Sequence, residues 1–298
     1  MTWGKGVNND IGWGQGYTQS DWGSVYEDSW SGDTLLVSGE VTPPEPTLDT
    51  DAQAFITAAT ITDPTEISAV NQLVLDLKTA NIWTKMKAVY PFVGGTATTH
   101  KWNLKDPRDL DAAFRLTFSG GWTHSSTGAL PNGTNGYADT YFNTDDTAST
   151  GLQSFGVYVR NNPTFAVDTQ EIPTGLRNGI YRITYSSSTP TVIVLRSGGI
   201  NSNIILSTGL IAQSRSSTSS WYGVNNSTIT TLSSSVSVLT SETTRTFYLG
   251  AYNNAGTALN FSTQQLAFAF YGEPLLTTEM SNFYTAIQTF QTTLSRNV

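Results

Sequence analysis

The stretch Leu266-Ala267-Phe268-Ala269-Phe270-Tyr271-Gly272, followed by Glu273-Pro274-Leu275-Leu276-Thr277-Thr278-Glu279, decides the fold. Its first seven residues alternate with a period of two, which marks a strand. Met280, Phe283, Tyr284, Ile287, Phe290 and Leu294 then recur at helical spacing on one side. A last strand, a loop carrying a Leu and a closing amphipathic helix near 278–295 are expected.

Working back from that ending, short strands dominate from Lys87 onward. Alternation recurs in Phe155–Val159, Tyr181–Tyr185 and Phe247–Tyr252, and Thr191–Leu195 is a short continuous apolar strand. The turn clusters Pro131-Asn132-Gly133-Thr134-Asn135-Gly136 and Asn253-Asn254-Ala255-Gly256 punctuate the series. Many short strands with polar turns predict a mainly β chain, with a two-sheet antiparallel sandwich over about 87–272.

The segment before it reads as helical. Asp63-Pro64-Thr65-Glu66 is a helix start, with Asp63 as cap, Pro64 in the first turn and Glu66 reaching back. Ile67, Val70, Leu73, Val74 and Leu77 mark one apolar face, and Asn81 is a suitable end because it tolerates the left-handed conformation. A shorter helix around Ala52–Ala59 would complete a hairpin. The organisation is therefore an arm over 1–46, a helical linker over 47–86, and a sandwich with its C-terminal helix over 87–298.

The arm has its own texture. Trp3-Gly4-Lys5-Gly6 returns as Trp13-Gly14-Gln15-Gly16, Trp22-Gly23 and Trp30 follow at nearly the same interval, and Pro43-Pro44-Glu45-Pro46 forms a stiff extended linker. It has many aromatics and too few aliphatics for a core of its own. Trp3, Trp13, Trp22 and Trp30 are expected to anchor it on a partner protein, since Trp is the favoured interface residue. The competing reading folds the arm back onto its own sandwich.

Composition narrows the function classes. Charged residues make up 13% of the 298, so polarity comes from hydroxyls and amides, as in extracellular β proteins and virion components. There is no cysteine, which removes disulfides and thiolate metal sites. The start Met1-Thr2-Trp3-Gly4-Lys5 lacks signal-peptide features, and no apolar run is long enough to span a bilayer. A chain that is soluble when made and does not bind membranes is expected. Of the net charge of −8, the arm carries −6: Lys5 against Asp10, Asp21, Glu27, Asp28, Asp33, Glu40 and Glu45. No basic stripe is present to neutralise phosphates, so nucleic acid is not an expected partner.

Some of the chain is familiar. Ile82–Gly95, continuing through His100–Pro107, resembles phage virion proteins, as do Gly121–Ser125, Leu130–Ala138 and Phe283–Gln291. The tandem Trp-Gly arm resembles the start of structural proteins from phages of Bacteroidetes hosts, including crAss-like ones. The final strand, loop and helix resemble the end of laminin-G-like and concanavalin-like domains. The resemblance covers roughly 50–298. It implies a concanavalin-like (jelly-roll) β-sandwich with flanking helices and an extended N-terminal arm. It also implies a virion role, with synthesis in the host bacterial cytoplasm. The expected function is a head-, neck- or tail-associated structural component, joined to other virion proteins through the arm and assembled as a homo-oligomer. The alternative is a receptor-binding module for a host surface glycan.

Concanavalin-like sandwiches include glycoside hydrolases, so catalysis needs a direct test. Their signature places two Glu and an Asp at alternate positions of one strand, facing the cleft. No such spacing occurs, and Asp168-Thr169-Gln170-Glu171 would point its acids to opposite faces. Only His100 and His124 could serve a nucleophilic triad, and they read as polar loop residues beside Trp102 and Trp122. The expectation is a non-enzymatic protein without a cofactor. Calcium is the nearest metal candidate: Asp145-Asp146, with Asn143, and Asp106, Asp109 and Asp111 offer oxygens, short of the six to eight that calcium wants. For a glycan, the ring candidates are Trp122, Tyr137, Trp221 and Tyr222, with Asn225-Asn226 for hydroxyls. The competing reading places those rings in the core.

Overall fold

The computed structural model describes residues 47–143, 145–147, 152–161, 179–183, 192–197, 200–205, 208–217, 221–232 and 246–298. The chain divides into two units between Pro46 and Thr47. The first, which contains Trp3, Trp13, Trp22 and Trp30 and the whole expected arm, lies outside the described residues, as does Asp168–Glu171.

The second unit opens with α1 (Thr50–Ala59) and α2 (Pro64–Thr79). Asp63 caps α2 as expected, its Oδ1 accepting from the Thr65 and Glu66 amides at 2.8 and 3.0 Å, and Asn81 takes a left-handed φ of 58° just past the end. Glu66 does not reach back to Asp63, however. Its carboxylate accepts from the Gly94 amide at 3.0 and 3.1 Å, because the loop after the next strand brings that donor close.

The strands follow in order. β1 (Met86–Tyr90) precedes the short α3 (Ala97–His100). Next come β2 (Thr117–Ser119), β3 (Trp122–Ser125), β4 (Gly128–Pro131), β5 (Tyr137–Asp139) and β6 (Gln153–Val159). β7 (Gly179–Ile183), β8 (Val192–Ser197) and β9 (Ile200–Ile205) form an antiparallel meander. β10 (Gly209–Arg215), β11 (Trp221–Asn225), β12 (Thr228–Leu232), β13 (Tyr248–Leu249), the hairpin β14 (Tyr252–Asn254) and β15 (Thr257–Leu259), and β16 (Leu266–Gly272) complete the series before α4 (Thr277–Thr293).

The main sheet runs β12-β11-β10-β6-β16-β4-β3, with β1 also on β16, and a second sheet runs β13-β5-β2. Every pairing is antiparallel. The fold is mainly β, an antiparallel sandwich with flanking helices.

Two apolar layers explain why the central strands are buried on both faces. Val89, Tyr158, Leu210, Ala212, Val224, Phe268 and Phe270 pack on the helical side with Val70, Leu73, Phe283, Ile287 and Phe290. Tyr90, Phe155, Val159, Ile211, Ala269 and Tyr271 pack on the other side with Ala138, Phe142 and Leu249 from the second sheet. A register shift between Leu266 and Phe268 lets Leu266 join the second layer while Ala267 and Phe268 both join the first. Gly156 permits a close approach between the central strands: a Cβ there would sit 2.6 Å from Ala212 Cβ and 2.7 Å from Phe270 Cε1.

The closing helix lies where the spacing puts it. Phe283 is fully buried, with its ring 4.3 Å from Phe270, and Phe290 meets Phe268 edge-on at 6.1 Å. Glu279 accepts from the Leu276 amide at 2.7 Å and pairs with Lys85 at 2.6 Å, fixing the helix start against the segment before β1. Beyond α4, the buried Arg296 guanidinium donates to Phe92 O, Pro91 O, Ala267 O and Gln291 Oε1 at 2.8 to 3.1 Å.

The expected strand Phe247–Tyr252 is broken in two. Gly250 takes φ 80°, and a Cβ there would come within 3.1 Å of the Trp122 ring, which wedges in at this point.

Candidate functional site

The sequence-derived ring candidates do not form one site. Trp122 is on β3, at one end of the main sheet, and Trp221 and Tyr222 are on β11 near the other, with β10, β6, β16 and β4 between. The Trp221 side chain lies outside the described ones. Tyr222 shares its strand face with Val224, which packs on the helical layer. Asn226 locks a turn, its Oδ1 accepting from Leu210 N at 2.9 Å and its Nδ2 donating to Thr208 O at 3.0 Å.

Trp122 is committed to the fold. Its Nε1 donates to Ser119 O and Tyr137 O at 3.1 and 3.2 Å, its ring stacks on His124 at 6.1 Å, and Phe118 meets it edge-on at 5.2 Å. It positions the β2–β5 pair from the side.

Tyr137 stands differently. In the second sheet Leu116, Ala138 and Leu249 are buried in the apolar layer, so the residues alternating with them face outward. One outward row is Thr117, Asp139 and Tyr248, in direct register, and the next is Ser119 and Tyr137. The Tyr137 and Tyr248 rings stack at 4.7 Å with 28° between their planes, and both residues are half-buried. Asp139 Oδ1 accepts from Tyr141 N at 2.9 Å, an Asx turn that gives Tyr141 its left-handed φ of 56°. The Tyr141 hydroxyl then bonds Thr117 Oγ1 at 3.0 Å. Burial, with Asp139 and the neighbouring tyrosines, raises the Tyr248 phenol above its ordinary value.

Sequence reasoning named Tyr137 and missed Asp139, Tyr248, Tyr141 and Thr117. The alternation in Tyr137-Ala138-Asp139 and in Phe247-Tyr248-Leu249 was available as a signal. The pairing of these two distant segments was not.

The histidines depart from the loop reading. His100 ends α3 and is buried, and His124 is on β3; their Nδ1 atoms are 3.0 Å apart. Burial, then His124 and Arg296, pushes the His100 imidazole down to about 3, and burial lowers His124 too. The pair is packed among Phe92, Phe118 and Trp122.

The acidic candidates for calcium are engaged elsewhere. Asp106 pairs with Arg108, Asp109 with Lys101 and Arg115, and Asp111 with Arg115. Asp146 accepts from Asn143 N at 2.6 Å. No group of three or more His, Asp or Glu side chains among the described residues is placed to hold a metal. No helix among them is long and apolar enough to cross a membrane. An open cleft of ≈ 240 Å³ lies between the α1–α2 turn, the Gly94-Gly95 loop and Ser126. Its two acids, Glu66 and Asp63, already accept backbone amides, and no aromatic ring lines it.

No family model matches the sequence, and no curated protein matches it. Among solved structures, one similar chain is domain 4 of a GH43 extracellular arabinanase from Geobacillus stearothermophilus, in complex with arabinotriose. The identity is 12% and the TM-score 0.42, over 67% of this chain and 98% of that one. Another is a mutant of Trypanosoma rangeli sialidase displaying trans-sialidase activity, at 10% identity and TM-score 0.43, over 75% of this chain and 39% of that one. Both belong to glycan-processing enzymes, which corrects the expectation that catalysis is excluded. That expectation rested on a missing carboxylate spacing and on histidines read as loop residues, tests of particular mechanisms only. Likeness at this level assigns no activity and no residue to the present chain.

Proposed function

We propose that the chain is a structural component of a bacteriophage particle, attached through residues 1–46, with the sandwich displayed from it. The observation that carries this reading is the construction of the arm's root. Immediately after the Pro43–Pro46 linker, Asp49 N donates to Asn71 Oδ1 at 2.7 Å, and the Asp49 carboxylate takes Lys78 Nζ at 2.7 and 2.8 Å. Lys78 also pairs with Asp51 at 2.7 Å, and Asp51 accepts from Trp83 Nε1 at 2.9 Å, with Lys105 over the Trp83 ring at 4.4 Å. One exposed ion pair contributes little, but a network that also engages backbone and indole fixes where the chain leaves the domain. The resemblance of roughly 50–298 to virion proteins and the hydroxyl-rich, weakly charged composition support the same reading.

The test is incorporation. A chain lacking residues 1–46 is expected to remain soluble and folded yet be missing from assembled particles. Replacing Trp3 and Trp13 together is expected to weaken assembly more than replacing Lys5. Truncated protein present at normal copy number would rule the attachment role out.

A second reading, recognition of a surface glycan, is favoured by the outward face of the second sheet, where aromatic rings, hydroxyls and a carboxylate converge. Glycan-array binding by the full chain tests it.

A further inference from the structure

We infer that the outward face of the β13-β5-β2 sheet, formed by Tyr137, Tyr248, Asp139, Tyr141 and Thr117, is a sugar subsite and that its ligand is an uncharged oligosaccharide. This rests on the glycan reading above and specifies where and what the domain binds.

The geometry supplies both halves of a sugar site. Tyr137 and Tyr248 stack on one another, 4.7 Å between centroids with 28° between planes, which holds both rings upright on the outward face. The ring faces turned away from each other suit the C–H face of a sugar ring, and the phenols extend polar groups to the rim. Asp139 is in direct register with Tyr248 on one side and Thr117 on the other. A carboxylate is an acceptor with two oxygens, suited to adjacent sugar hydroxyls. Asp139 Oδ1 takes the Tyr141 amide, and among the described residues no cation pairs with Asp139. Two residues along a strand span ~7 Å and three strands ~10 Å, so the face accommodates one or two sugar rings.

Charge selects the ligand class. Arg115 Nη1 comes within 3.5 Å of Thr117 Oγ1, but this guanidinium is already held by Asp111 at 2.8 Å and Asp109 at 3.3 Å. Lys101 is likewise held by Asp109 at 2.6 Å, so with Asp139 added three acids face two engaged cations, an excess of one negative charge. A carboxylated or sulfated glycan would meet repulsion without a free cation, and a neutral one would not. The backbone beneath is preorganised, since Trp122 Nε1 holds the carbonyls of Ser119 and Tyr137.

The experiment is calorimetric and ligand-observed NMR titration of the full chain. The neutral probes are maltotriose, xylotriose and chitotriose, and the acidic probes are 3′-sialyllactose and trigalacturonate. At least one neutral probe is expected to bind, at least ten-fold more tightly than either acidic probe. Tyr248→Ala and Asp139→Asn should each weaken binding ten-fold or more, and Tyr222→Ala on β11 should leave it unchanged. The near-isosteric Asp139→Asn guards against a folding artefact at Tyr248. Equal or tighter binding of acidic probes, or binding that survives both variants, overturns the subsite while leaving glycan recognition in place. Silence from every probe removes glycan recognition itself, and this inference with it.

Discussion

Mild acid should destabilise this domain through one residue, His100. Its imidazole is buried, its Nδ1 faces His124 Nδ1 at 3.0 Å, and its Nε2 has no hydrogen-bond partner among the described residues. The Arg296 guanidinium adds positive charge nearby, and the ring's value falls from 6.5 to about 3. In the unfolded chain the same ring takes up a proton below about 6.5. Between these values the unfolded state binds more protons, so stability rises with pH and is lost as pH falls from 6.5 towards 3. At pH 4.5 the proton-binding difference amounts to ~3 kcal/mol, from about 1.4 kcal/mol per pH unit over the two units below 6.5. His124, also lowered, adds in the same direction but is partly exposed. The lowered carboxylates Asp49, Asp106 and Asp109 act below about 4, outside this window. Asp146, raised by burial, works oppositely.

The assay is urea unfolding at pH 7.5 and 4.5, on the wild type and on His100→Asn, whose amide keeps a donor towards His124 without titrating. The wild type should lose ~3 kcal/mol over that interval and the variant no more than ~1 kcal/mol. Equal losses in both proteins, or a wild type indifferent to pH over this range, would refute the reasoning.

Two further outcomes are expected. Phe283→Ala should cost ~3–5 kcal/mol in urea unfolding, because the ring is fully buried between α4 and β16; an unchanged midpoint would mean that α4 is not docked. Arg296→Ala strips donors from Pro91 O, Phe92 O, Ala267 O and Gln291 Oε1 and should also cost ~3–5 kcal/mol, with Arg296→Lys recovering little because a point charge cannot span those acceptors.

What could be read from the sequence was local. The Asp63 cap, the Asn81 end, the strand Leu266–Gly272 and the buried stripe of α4 follow from spacing and capping chemistry, and all are found. What escaped depends on distant partners. Glu66 turns to Gly94 rather than to its own helix end, and Gly250 breaks a strand where Trp122 wedges in. The two histidines are polar by type, yet His100 is buried against Phe92 and the His124 ring, partners distant in sequence or unmarked by local pattern. Of the ring candidates Trp122, Tyr137, Trp221 and Tyr222, only Tyr137 belongs to the outward face of the second sheet. That face depends on β5 pairing with β13 across more than a hundred residues, a contact that local patterning does not encode.

The root of the arm has a mechanical consequence. Tension arriving at Thr47 meets α1 and α2 through Asp49, Asn71 and Lys78, and α2 is seated on the sheet by Val70, Leu73, Val74 and Leu77. The described chain therefore enters the domain through a helical layer, ahead of any described strand. In the proposed attachment role, a pull directed along α2 would load the helical layer in shear, because α1 and α2 precede every described strand.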